Sequence, residues 1–155
     1  MAKQKSKKDR LQTIISMLRD SVSNMEEAVS NLETAEGRES TTDQVYDLTN
    51  TKQAMDLASN QHGAAMTLLA ELQEEMDSWA SGMEDSNLAN SEKCESVRTA
   101  ADTMQESVDE LESMEFPDVE TCDLTTDAIG ELKEGLETTH DAIDEVADNL
   151  ESLEW

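Results

Sequence analysis

A heptad runs without a break through the last 27 residues, from Ile129 to Trp155, and leaves that part of the chain little choice but a packed helix. Its a positions are Ile129, Leu136, Ile143 and Leu150, and its d positions are Leu132, Thr139, Val146 and Leu153. Steps of three and four return to one side of a helix, whereas a strand would need a period of two. Acid falls on the b, c and f positions, at Asp127, Glu131, Glu134, Glu137, Asp141, Asp144, Glu145, Asp148 and Glu151. The e and g positions carry Lys133, Gly135, His140, Ala142, Ala147 and Asn149, so the face able to pack is broader than a two-residue stripe and suits three or more helices.

The same period recurs upstream. Leu11, Ile15, Leu18, Val22, Met25, Val29 and Leu32 step by four and three, flanked by Ile14, Ser21 and Ala28. Gly37 follows as a C-cap. Thr41-Thr42-Asp43-Gln44 reads as a capping box that opens the longest segment. Its seam is softer: Val45, Leu48, Met55, His62, Met66, Leu69, Leu72, Met76, Trp79 and Met83, with Lys52 and Ser59 in the gaps and a skip at 66, 69 and 72. Gly63 marks a place for a bend. A third seam, Cys94, Val97, Ala101, Met104, Val108 and Leu111, stops before Phe116-Pro117, because the residue preceding proline is pushed out of the helical region.

These patterns predict an all-α fold: one elongated bundle or coiled coil of about four helices, over about 11–36, 42–84, 91–115 and 126–154, arranged as two helical hairpins. Residues 1–10 form a basic tail and residues 11–155 a single acidic domain. Four aromatic residues and one proline in 155 residues argue against a sandwich, barrel or α/β sheet.

The formal net charge is -26, distributed as +4 over residues 1–10, -12 over 11–100 and -18 over 101–155. Such charge opposes compaction and like-with-like association unless salt, an elongated shape or a basic partner relieves it. No stretch approaches the roughly 20 apolar residues of a membrane span, and the segment after the basic start is too polar for a signal peptide. The expectation is a soluble protein, intracellular or particle-associated, not evidently secreted. Cys94 and Cys122 would sit at opposite ends of the third helix, about 30 Å apart, too far for a disulfide.

No motif rises to an enzyme, and no cofactor or metal is expected. Glu137-Thr138-Thr139-His140 matches the Glu-x-x-His step of di-metal bundles, but those need two such motifs and two further inward glutamates. Here His62 has Ser59 three residues before it, and Glu137 sits on the outer face. Asp85 to Asn90 starts like a calcium loop but lacks the glycine and glutamate that complete one.

Two functions from different classes fit what is left. The first is a non-catalytic, self-associating structural or scaffold component of a larger assembly, with a virus particle as a natural setting. Its oligomer seam would be Leu11, Ile15, Leu18, Val22, Ile129, Leu132, Leu136, Ile143, Val146, Leu150 and Leu153. The alternative is an acidic DNA mimic or chaperone-like inhibitor of a basic nucleic-acid-binding protein, which would use the face Asp127, Glu134, Glu137, Asp141, Asp144, Asp148 and Glu151. Those rows repeat every seven residues, about 10.5 Å along a helix axis. The tail residues Lys3, Lys5, Lys7, Lys8 and Arg10 could hold phosphates or an acidic neighbour, but five charges are too few for tight nucleic-acid binding alone.

Overall fold

The computed structural model describes residues 6–116 and 126–155, which form four helices: α1 (Lys7–Glu36), α2 (Thr41–Glu84), α3 (Glu92–Ser113) and α4 (Thr126–Glu151). The described residues contain no strand, and the all-α bundle is as the periodicity predicts.

α1 starts four residues earlier than the seam alone suggests. Ser6 is its N-cap, the Oγ accepting from the Asp9 N–H at 3.1 Å, and the capped turn draws Lys7, Lys8 and Arg10 into the helix. Gly37 does follow α1, but at φ -85° it sits in the right-handed region and uses none of glycine's freedom.

The capping box is not formed. Thr41 is the first helical residue rather than the cap, and Ser40 takes that place with no side-chain cap bond. The Gln44 side chain donates instead to the Ala35 carbonyl at 3.3 Å, tying the start of α2 to the end of α1. At the far ends the boundaries tighten. α3 stops at Ser113 and α4 at Glu151.

α2 runs unbroken through Gly63, about 66 Å long at 1.5 Å per residue. α1 lies antiparallel along most of it. Arg38 bonds Asp47 at one end (3.0 Å), Asn24 bonds Gln61 midway (2.7 Å), and Arg10 pairs with Glu75 near the other. α3 returns antiparallel along the second half of α2 alone: Arg98 near its start reaches Asp77 (2.5 Å) and Glu84 (2.8 Å), and past its end Phe116 meets His62 edge-on at 5.1 Å. α4 runs antiparallel to α1, with Lys133 on Glu33 and His140 on Glu26. Of the helix pairs in contact, α3 and α4 touch least. One end of the bundle is therefore four helices thick and the other three.

The core holds Ile14, Leu18, Met25 and Leu32 from α1, Leu69, Leu72 and Met76 from α2, Met104 and Leu111 from α3, and Ile129, Leu136 and Ile143 from α4. The seam of α2 is more regular than its large residues indicate. Leu48, Thr51, Met55, Ala58, His62, Ala65, Leu69, Leu72 and Met76 are all buried and step by three and four without a skip. Small residues lie on both sides of the α1–α2 contact, Ser21, Ala28 and Ala35 in α1 being buried as well. The backbones come close enough for Ser21 Oγ to donate to the Ala58 carbonyl at 2.7 Å. Val45, expected on the seam, is exposed, and so is Ser59.

Candidate functional site

The residues expected to form an oligomer seam are spent inside one chain. Leu11, Ile15, Leu18, Val22, Ile129, Leu132, Leu136, Ile143, Val146 and Leu150 all lie between 0 % and 8 % exposed, and Leu153 is partly buried against the same core. A folded copy cannot offer them to another. Association of chains in this fold would use a different surface.

The acidic residues of α4 are exposed or nearly so, but several have cationic neighbours in the chain. Arg19 reaches across from α1 to Asp144 (3.3 Å), Asp148 (3.0 Å) and Glu151 (2.5 Å), and Asp148 and Glu151 hold its guanidinium above its ordinary pKa. Lys133 does the same with Glu33 at 3.3 Å. His140 bonds Glu26 through Nε2 (3.0 Å) and Asp141 through Nδ1 (2.9 Å). Burial alone would lower the pKa of this imidazole, but the two hydrogen-bonded carboxylates outweigh that and raise it. Glu137 lines a shallow hollow with Glu26, Val29, His140 and Asp141. Asp127 and Glu134 stay on the solvent side. Among the described residues no three His, Cys, Asp or Glu side chains gather as a metal site.

The described part of the basic tail is likewise engaged by the bundle. Lys7 Nζ lies 5.6 Å from the Trp79 ring centre and Lys8 Nζ 5.9 Å from that of Trp155, both within cation–π reach, and Arg10 pairs with Glu75. Lys3 and Lys5 lie outside the described residues, as does Cys122. Cys94 is a buried free thiol.

Another surface lies outside both the large-residue seams and the charge rows. Tyr46, Leu57 and Leu68 of α2 are 65 %, 55 % and 38 % exposed. They stand 11 residues apart, three helical turns, so they line one stripe with Asn50, Gln53 and Ala64 between them. The stripe flanks the outer groove between α1 and α2, where Asn24 bonds Gln61 and Arg10 pairs with Glu75. Met17, midway between Arg10 and Asn24 on α1, is partly buried. No charge falls on this stripe from Tyr46 to Leu68. A signal was present in the sequence: residues 57–70 carry no Asp, Glu, Lys or Arg, the longest such run in the chain.

His62 is the one buried side chain among the described residues with an unsatisfied polar atom. Its Nε2 meets no hydrogen-bond partner there. Burial lowers its pKa, and the hydrogen-bonded Leu111 backbone opposes that in part. Comparison with known protein families, with characterised proteins and with solved structures yields no significant match.

Proposed function

We propose that this protein is a non-catalytic helical component that self-associates and serves as a scaffold or spacer in a larger assembly. The observation that carries the proposal is the uncharged stripe of Tyr46, Leu57 and Leu68 on α2, in a chain of net charge -26. Acid elsewhere keeps copies apart by like-charge repulsion, whereas exposed apolar side chains with no charge between them favour association once approach is possible. The acidic face of α4 supports the decoy reading less well, because Arg19 occupies three of its carboxylates and His140 a fourth.

The proposal is tested by native mass from light scattering over a concentration and salt series. A defined multimer at moderate or high salt is expected. A monomer at every salt and concentration up to about 100 μM would overturn it. No described helix is long and apolar enough to cross a membrane, so the assay needs no detergent.

A further inference from the structure

We infer that two copies pair through the α2 stripe, antiparallel, about a two-fold axis that passes at Leu57. The inference rests on the self-association reading above and names its surface and geometry. Two-fold pairs present the same patch from both sides, so the patch must be complementary to itself. The spacing meets that condition. Tyr46 and Leu68 lie at equal steps of 11 residues on either side of Leu57. An axis at Leu57 sets Leu57 against the second copy's Leu57, and Tyr46 against its Leu68. Asn50 then comes level with Ala64, a polar side chain with room beside a small one.

Charge selects a second copy as the occupant. The exposed faces of α1, α3 and α4 all carry acid, for example Asp20 and Glu27, Glu106 and Asp109, Glu131 and Glu134. Two chains of net charge -26 can meet at low electrostatic cost only where neither presents acid. The α2 stripe meets that need; the neighbouring edge of α1 adds the uncharged Met17, Asn24 and Asn31, with exposed Asp20 and Glu27 on the row beside them marking the acidic limit of the patch. A basic partner, by contrast, would gain nothing from this surface and would settle on the acid.

The area is sufficient for a modest dimer. From Tyr46 to Leu68 the stripe runs about 33 Å. With the α1 edge beside it the patch is about 20 Å wide at ordinary helix spacing. Two such patches would bury roughly 1,300 Å², at the low end of stable interfaces. Beyond the patch the pairing brings Glu71 near the second copy's Asp43 and Glu75 near its Glu39, so like charges meet at both ends. Dimerisation should therefore strengthen with salt, at least about threefold between 0.1 and 1 M.

The test places single cysteines in a chain with Cys94 and Cys122 replaced by alanine. Under mild oxidation Leu57→Cys should give a covalent dimer as the main product, because only a residue on the axis meets itself. Tyr46→Cys alone should give little, and the double variant Tyr46→Cys, Leu68→Cys should link efficiently. Leu57→Asp, at an exposed position where helicity is expected to persist, should yield a monomer at concentrations where the parent is dimeric. If the parent is multimeric but Leu57→Cys links no faster than a cysteine at exposed Ser23 on α1, this geometry is overturned while self-association stands. A multimer whose mass is unchanged by Leu57→Asp would overturn it equally. A monomeric parent would remove the proposed function itself, and binding of Leu57 by an unrelated protein with no self-pairing would overturn the choice of a second copy.

Discussion

His62 and His140 titrate in opposite senses. The pKa of His140 is raised in the fold by Glu26 and Asp141 against the effect of burial, so its stabilising contribution is complete below the unfolded value of about 6.5 and is lost as pH rises through the folded value. The pKa of His62 is lowered by burial, so the fold resists its protonation and stability is lost as pH falls below about 6.5. Thermal melts from pH 7.5 to 5.5 should separate them. His62→Leu should gain stability relative to the parent as pH drops, and His140→Gln should lose it. Identical pH slopes for all three proteins would show that neither group is linked to folding. Arg19 makes a further point at this scale. Its partners Asp144, Asp148 and Glu151 are all largely exposed. Arg19→Met should therefore cost only about 1 kcal/mol at physiological salt, with a larger loss at low salt, and denaturant melts at two salt concentrations would measure it.

Among the elements, α2 is distinctive because it is twice as long as α3 and continuous. Gly63 lies in its interior at a point where a Cβ would meet nothing within 4 Å. Alanine removes backbone freedom from the unfolded chain without adding strain, so Gly63→Ala should stabilise by about 0.5–1 kcal/mol, raising the melting temperature by roughly 2–4 °C. A loss of stability would mean that α2 bends there in solution. The buried seams set the opposite limit. Ile143 is fully buried, and Ile143→Ala should cost about 2–5 kcal/mol in chemical denaturation. Aspartate at Ile143 and Leu150, which would dissociate an oligomer built on that seam, should instead unfold the chain, because both residues are core of the single molecule.

For the whole molecule, net charge dominates. Most acid is spread over the outer faces of the helices, where it destabilises the compact state by self-repulsion that salt screens. The melting temperature should rise by several degrees, roughly 5 °C or more, between 0.05 and 1 M sodium chloride. Replacing Asp127, Glu131 and Glu134 with Asn or Gln should reproduce part of that rise at low salt and leave self-association intact. Loss of association in that variant would move the interaction surface to α4.

Side-chain spacing is enough to set the helices and which side of most of them is apolar. The heptad of α4 lies in the core residue for residue, because large aliphatic side chains at three and four spacing leave a helix only one face to bury. α2 was harder to read. Thr51, Ala58 and Ala65 bury nothing large, so the pattern appeared to skip, yet they keep the seam in step where α1 comes close with its own Ser21, Ala28 and Ala35. The cap of α2 was also hidden, since Gln44 has a better acceptor at Ala35, a residue brought near only by the turn between α1 and α2. What tertiary structure alone decided is which apolar faces find one another. The α1 and α4 seams could serve a second copy or the same chain with equal chemistry, and the antiparallel packing of α4 on α1 uses them internally. α3 covers the other side of α2 along only half its length, and α1 leaves the stripe from Tyr46 to Leu68 in solvent, because a helix whose core side is satisfied has no partner left for its outer one.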